Sequence, residues 1–466
     1  MNRHKSSRRR PNRKPNQQAQ TRNRKQKLPK NTAPVELTID HIGGRGDGVG
    51  IAQFTHNYET KDWHFFVPQC LPGERVRVQP HSLASGGIHA DLIELIEASP
   101  ERIDPLCPVA HSCGGCQFQH MEDSAYARLK ESMVSSPLMR AGIDIGTLRP
   151  LARSQKNSRR RVRFGLRRTA AELIIGLHER HSDKLIEPQG CITIDTKILD
   201  VRTALKSSLA PILTAGMTGE IHLTALDAGI DVLLDLHITP NGEQLTAISQ
   251  CAAECEGIIR LSIQSDGQAS MPLYAPDTPI LSWPNADVTP PPGGFLQASK
   301  SGEATLQAGV AEIAADAKNI VDLFCGSGTL SLPLLAKDCQ IHAADNAGPA
   351  LKAFSAAADK AGRGGQLTVY ARNLYEAPMT SDQLKDADLI ILDPPRSGAK
   401  DQIEAIAHSG CLRIAYISCN PHSFAKDAAE LIKAGYIINW CQPVDQFYYS
   451  SHVELLSEFI RVPETL

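Results

Sequence analysis

The spacing of apolar residues divides this chain before any single residue is considered. From about residue 35 to residue 98, apolar and polar positions alternate in short runs: VELTID, GVGIAQF, WHFFVPQ, ERVRVQP and HADLIELI. A period of two puts one side of each run in a core and the other in water, as strands require. Gly-Gly, Gly-Asp-Gly and Leu-Pro-Gly-Glu punctuate the runs, and five short strands with such turns predict a small OB-like β barrel. Alternating runs of β type return over residues 170–290 (ELIIGLHE, EIHLTALD, DVLLDLHI). A proline–glycine cluster, Pro290 to Gly294, marks a boundary. Beyond it the chain turns alanine-rich. Short apolar runs follow at Ile320–Phe324, Gln340–Asp345, Gln366–Arg372, Leu389–Asp393, Leu412–Cys419 and from Tyr436 onward. Such runs, separated by helix-compatible stretches, predict a parallel sheet covered on both faces, a Rossmann-like α/β domain over residues 291–466.

In sheets of this kind ligands sit beyond the carboxyl ends of the strands. Chemistry-bearing residues fall there in succession. The first run ends in Cys325-Gly-Ser-Gly328, a turn that lets the backbone approach a ligand closely. A dinucleotide-binding turn carries a third glycine beneath the pyrophosphate, and none follows here. The second run ends in Asp345, where an acid can accept hydrogen bonds from a ribose diol. Glycine turn and ribose acid without the pyrophosphate glycine favour S-adenosylmethionine over NAD. Asn373 follows the third run. Asp393-Pro394-Pro395 is a rigid turn that aims its acid at the crevice. Arg396 stands where enzymes methylating exocyclic amines place a base-stacking aromatic, which argues against that reaction.

Cys419 ends a strand just before Asn420-Pro421 and a helix, whose N-terminus can activate a thiol. A methyltransferase needs a thiol when its target carbon is a poor nucleophile. Carbon 5 of uracil is one. A thiolate adding to carbon 6 makes carbon 5 an enolate carbon able to attack a methyl group. A base must then remove the carbon-5 proton. Glu454, in the strand-like run SSHVELLSEF, is the carboxylate best placed for it.

Charge and cysteines add two further features. Twelve of the 49 Lys and Arg residues lie in residues 1–30, which hold no acid, so the near-neutral total hides a basic arm on an acidic body. An arm of this Gln/Asn/Pro-rich kind is expected to be disordered and drawn to polyanions. Residues 153–168 are also basic. There Arg159, Arg161 and Arg163 alternate with Arg160, Val162 and Phe164, which suits a strand with one cationic face for a phosphate backbone. Cys107, Cys113 and Cys116 lie on one glycine-containing loop and can place three thiolates around zinc or an iron–sulfur cluster. Cys191 is the candidate fourth ligand, with Cys251 and Cys255 as rivals and His111 as a possible nitrogen ligand. No apolar run of some twenty residues appears, and the basic start has no apolar stretch behind it. The expectation is therefore a cytoplasmic protein without a membrane span.

The segment DHIGGRGDGVGIAQF…FFVPQCLPGERVRV resembles the TRAM domain of RNA-modifying enzymes. Together with Phe295-Leu-Gln297, DLFCGSG, LDPPRSG, SCNP, the terminal SSHVE and the cysteine set, it makes the chain from about residue 35 onward resemble the bacterial RNA (uracil-5)-methyltransferases. The resemblance implies a [4Fe–4S] cluster on Cys107, Cys113, Cys116 and Cys191, Cys419 as nucleophile and Glu454 as base. It implies contacts to S-adenosylmethionine from Gln297, Phe324, Thr329, Asp345, Asn373 and Asp393. Its nearest branch acts on 23S rRNA; the family's tRNA enzyme lacks the barrel and the cluster cysteines. The domains expected are a disordered basic arm (1–34), a TRAM barrel (35–98), a central β-rich iron–sulfur and RNA-binding domain (99–290) and the methyltransferase domain (291–466). Ser299, Asp345 and Phe447-Tyr448 stand where the family usually has Asn, Glu and Phe-Pro. An amine methyltransferase would not need Cys419, and a non-catalytic RNA-binding factor would not need a complete cofactor crevice.

Overall fold

The computed structural model describes residues 26–84, 86–336 and 338–462. Most of the predicted basic arm, residues 1–25, lies outside them. The chain divides into two compact units at Pro100.

In the first unit a seven-stranded sheet runs in the order Gln26–Lys27, Arg75–Ala84, Gly87–Glu97, Glu59–Val67, Gly48–His56, His41–Ile42, and Val35–Thr38 also pairs with Arg75–Ala84. The alternation works as predicted: Leu37, Phe65, Val67, Val76, Val78 and Ile88 are buried on its inner side. The Leu-Pro-Gly-Glu turn has a mechanical purpose. Glu74 is fully buried, and its carboxylate accepts from the Leu71 N–H at 2.8 Å and the Ser99 N–H at 3.3 Å. The unit begins earlier than residue 35, because Gln26 and Lys27 pair with Leu83 and Ser82. The end of the expected arm is therefore a strand.

The second unit, from Glu101, holds two large sheets. The middle sheet runs Leu185–Ile186, Leu173–His178, Arg161–Arg168, Thr218–Ala225, Ile230–Leu236, Ile258–Ser265, Met271–Tyr274. The helices Thr196–Leu209 and Gly242–Glu254, which the reading of residues 170–290 as β-type missed, share its core. Ile198, Val201, Leu205 and Leu209 recur at helical spacing and pack with Phe164 and Ile221.

The catalytic sheet contains β1 (Asn319–Leu323), β2 (Gln340–Asp345), β3 (Leu367–Ala371), β4 (Leu389–Leu392), β5 (Arg413–Ser418), β6 (Tyr436–Asp445) and β7 (Glu454–Arg461). Their order is β3-β2-β1-β4-β5-β7-β6, with β1 to β5 parallel and β7 antiparallel to both neighbours. Helices Lys300–Ile313 and Gly348–Lys360 pack with one apolar face of the sheet, and Lys400–Ala407 and Pro421–Lys433 with the other. Each fully buried Leu, Ile or Phe there contributes about 1.5–3 kcal/mol.

Residues 101–153 do not belong to a separate central domain. Thr147–Leu148 and Ala152–Arg153 extend the catalytic sheet by pairing with β6. Helix Asp123–Arg140 buries Val134 and Leu138 among Leu323, Ile414 and Phe459. Its fully buried Lys130 interrupts the apolar stripe, which is why no helical period was legible there. Among the described residues no helix is long and apolar enough to cross a membrane.

Candidate active site and cysteine centre

The crevice is built at the carboxyl ends of β1, β2, β4 and β5. After β1 the chain turns through Phe324, whose φ of 64° places a bulky residue in the left-handed region. Gly328 has a φ of 81°, and a Cβ there would lie 2.6 Å from the Phe354 ring. Only glycine lets this turn pack on helix Gly348–Lys360. Asp345 braces the turn from β2: its carboxylate accepts from the Gly326 N–H at 2.9 Å and the Ala347 N–H at 2.7 Å. Asn373 accepts from the Tyr375 N–H, and the Tyr375 ring lies 5.5 Å from that of Phe324.

Gln297, Phe324, Thr329, Asp345, Asn373 and Asp393, the six residues matched to cofactor contacts, line one cavity of about 1190 Å³. Cys419 and Glu454 line it too. The Asp-Pro-Pro-Arg and Ser-Cys-Asn-Pro turns are tied together, because Asn420 Nδ2 and Ser423 Oγ both donate to the Arg396 carbonyl, at 2.9 and 3.1 Å. Burial pushes the Glu454 carboxyl up to about 7, against the pull of a Gln446 hydrogen bond and the Arg396 guanidinium. A carboxylate poised there suits a general base at neutral pH. Burial, then Glu454 and Asp393, push the Cys419 thiol up to about 12. Helix Pro421–Lys433 begins two residues later, and its N-terminus pulls the other way.

The loop leading into Glu454 is clamped by helix Asp123–Arg140. Asp445 accepts from Tyr126 Oη at 2.5 Å and pairs with the fully buried Lys130 ammonium at 2.9 Å. Lys130 also donates to the His452 carbonyl. Burial, Arg396 and Lys130 hold His452 down at about 4, so it is neutral. Ser299, where the family usually has Asn, caps helix Lys300–Ile313 by accepting from the Gly302 N–H at 3.0 Å.

Cys107, Cys113, Cys116 and Cys191 line a second cavity of about 640 Å³. Cys251 and Cys255 are elsewhere, on and after helix Gly242–Glu254, and their thiols donate to the Ser208 and Glu256 carbonyls. His111 is exposed and does not line this cavity. Among the described residues only Glu220, His222 and Asp235 bring three ligand atoms within 4.8 Å of one another. No three of the four thiols lie within 4.8 Å of one another. Burial pushes the Cys116 thiol up to about 12 and raises the Cys113 thiol as well.

Gly114, Gly115, Gln117 and Arg159 line both cavities, so this loop is a shared wall. The Gln117 N–H donates to the Tyr449 carbonyl at 2.7 Å, and its side chain accepts from the Ser451 N–H at 3.1 Å. No local sequence signal marks this wall. Of the alternating arginines, Arg160 turns inward onto Glu303, Arg163 is exposed and pairs with Glu220 at 3.3 Å, and Arg161 stacks over Phe295 at 5.4 Å.

A mostly parallel sheet in which β7 alone of β1 to β7 is reversed, a glycine turn and an acid at the end of β2 define an S-adenosylmethionine-dependent methyltransferase. The sequence profile described as tRNA (Uracil-5-)-methyltransferase matches residues 374–458. An uncharacterized RNA methyltransferase of Rhizobium meliloti is 32% identical over 429 residues, which span 90% of this chain and 98% of the relative. The 23S rRNA (uracil(1939)-C(5))-methyltransferase RlmD of Acinetobacter baumannii is 28% identical over 482 residues, 96% of this chain and 99% of that protein. The Pyrococcus abyssi tRNA (uracil-54, C5)-methyltransferase, solved with S-adenosyl-L-homocysteine, superposes with a TM-score of 0.68 at 18% identity, covering 91% of this chain and 99% of that one. The chain belongs to the RNA (uracil-5)-methyltransferase family and is an S-adenosylmethionine-dependent enzyme.

Proposed function

We propose that this enzyme methylates carbon 5 of a uridine in 23S rRNA through a covalent adduct on Cys419. The observation that carries the reading is the convergence of Cys419, Glu454 and the six cofactor-matched residues on one cavity. Asp345 and Asn373 are suited to the nucleoside of S-adenosylmethionine, and Gln297, Phe324, Thr329 and Asp393 to the rest. When bound, that cofactor supplies the methyl group. The Cys419 thiol gives up its proton to solvent, Sγ bonds to carbon 6 of the uracil, and the ring electrons move to an enolate at carbon 5 and oxygen 4. Once carbon 5 carries the methyl group, the Glu454 carboxylate removes its remaining proton. The carbon 5–carbon 6 double bond reforms and the thiolate leaves.

Cys107, Cys113, Cys116 and Cys191 would hold a [4Fe–4S] cluster, whose metal charge would keep the four sulfurs ionised. The first unit is read as a TRAM barrel that grips RNA with the basic arm and the arginines near residue 161, and the enzyme as cytoplasmic. The full-length kinship with the 23S rRNA enzyme supports a ribosomal target. The archaeal tRNA enzyme also spans nearly this whole chain, so a barrel-sized N-terminal region alone does not separate rRNA from tRNA, and tRNA is the second reading. Mapping 5-methyluridine in 23S rRNA and tRNA from a deletion strain decides between them. Loss from neither would refute the proposal.

A further inference from the structure

We infer that Gln117, on the cysteine loop, is a positioning residue for methyl transfer: its side chain holds the bend that leads into Glu454. The inference rests on reading Glu454 as the base. The bend is residues 449–451, in the loop between β6 and β7, and Ser450 and Ser451 line the catalytic cavity. Tyr449 has a φ of 61°, a left-handed backbone that is strained for a bulky residue and persists only where its neighbours enforce it. They do so on both sides. The Tyr449 N–H donates to Tyr126 Oη at 2.8 Å, and its carbonyl accepts from the Gln117 and Phe118 N–H groups at 2.7 and 3.0 Å. The Gln117 side chain adds the hold on Ser451. Its Oε1 accepts from the Ser451 N–H at 3.1 Å, and its Nε2 donates to the Gly114 carbonyl at 2.9 Å. An N–H can only donate and a carbonyl can only accept, so both ends of the amide demand the same orientation.

The cysteine loop is itself fastened to the middle sheet. The Gly114 N–H donates to the His178 carbonyl at 3.0 Å, and Arg180 Nη2 donates to the Cys116 carbonyl at 3.1 Å. Gln117 therefore ties an anchored loop to the approach to the base. The rest of the machinery stands elsewhere: Cys419 and the six cofactor-matched residues lie at the ends of β1 to β5 or just before helix Lys300–Ile313. A slack bend should thus leave cofactor binding and sulfur attack in place and misplace the group that removes the carbon-5 proton.

The test compares Gln117→Met and Gln117→Glu with the wild type in the full chain. Methionine keeps the length and loses both side-chain hydrogen bonds; glutamate keeps an oxygen for the Ser451 N–H. Turnover and denaturation-resistant adduct are measured on 23S rRNA at saturating S-adenosylmethionine and RNA. Adduct is also measured on 5-fluorouridine rRNA, where fluorine cannot leave as a proton and only the steps before Glu454 acts are read. Gln117→Met should lose about fivefold in turnover, the size of one hydrogen bond, and accumulate adduct on ordinary rRNA. Its fluorouridine adduct should form as in the wild type. Gln117→Glu should recover most of the turnover. Deuterium uptake of peptides covering residues 446–453 should rise in Gln117→Met and fall back in Gln117→Glu, and metal content should match the wild type in both. Unchanged turnover and uptake in Gln117→Met, a Gln117→Glu as slow as Gln117→Met, fluorouridine adduct lost in step with turnover, or metal lost alongside it overturns the inference. Failure of the underlying reading looks different: Glu454→Gln would keep turning over ordinary RNA.

Discussion

Replacing Glu454 by Gln should make the enzyme more stable and nearly inactive at once. Glu454 is 6% exposed, and its carboxyl is raised from an ordinary 4.5 to about 7. A group with a raised folded value binds its proton more tightly in the folded chain. The stability it lends is intact below about 4.5 and is lost as pH rises through 7. At pH 8 the ionised side chain therefore costs about 3 kcal/mol, from some 2.5 units at 1.36 kcal/mol each. Glutamine has the same shape and never ionises. Glu454→Gln should exceed the wild type by about 3 kcal/mol at pH 8 and by under about 1 kcal/mol at pH 5. Urea unfolding at both values measures the difference. Near-ultraviolet dichroism, recorded with Trp63 of the first unit replaced by Phe, follows the catalytic unit through Trp283 and Trp440, since a chain of two units need not unfold in one step. The same variant cannot take the carbon-5 proton. Turnover should fall at least about a hundredfold, and a methylated protein–RNA adduct should survive denaturation as a slow-migrating band. Wild-type turnover should itself rise about tenfold from pH 6 to pH 8 as Glu454 ionises. A variant less stable than wild type at pH 8, or one that turns over normally, would refute the reasoning.

Cys419→Ala should give neither product nor adduct in the same gel, since no enolate can form. Asp345→Ala removes the acceptor for the Gly326 and Ala347 N–H groups. It should weaken S-adenosylmethionine binding at least about tenfold by calorimetry, with adduct formation recovered at saturating cofactor. Anaerobically purified protein should be brown; Cys191→Ser should lose the iron in metal analysis and Cys251→Ser should keep it, whereas one zinc and no iron would exclude the cluster. RNA affinity should fall with salt by roughly 0.7 log units per phosphate contact, and removing residues 1–25 should flatten that slope in binding titrations without moving the methylated uridine.

What the sequence made legible was local. Apolar runs in the C-terminal half correspond to β1 to β5 within a residue or two; β1, β4 and β5 are buried on both faces and leave no other pattern, while β3 lies half exposed at the sheet edge. The glycine turn, Asp345, Asn373 and Asp393 follow from that register. Cys191 could be paired with the loop cysteines only through resemblance, since some 75 residues and five strands separate them. The clamp of Tyr126 and Lys130 on Asp445, and the wall of Gly114 to Gln117, join residues more than 300 positions apart. No period or spacing encodes such contacts. The surroundings of Cys419 divide in the same way: its helix is visible locally, but the carboxylates and burial that act on it come from other strands.

The catalytic sheet is closed by its earliest and latest segments. Thr147–Leu148 and Ala152–Arg153 wait for β6, and Val134 and Leu138 wait for Ile414 and Phe459. About 300 residues of synthesis intervene, roughly 15–60 s at ribosomal speed. Helix Asp123–Arg140 therefore leaves the ribosome with its apolar side unsheltered and its buried lysine unpaired. Expression of residues 291–466 alone would leave the outer edge of β6 open and Asp445 without its cation, so the methyltransferase half is not a separable module. Slowing translation near the C-terminus should lengthen that exposure and raise the demand for chaperones.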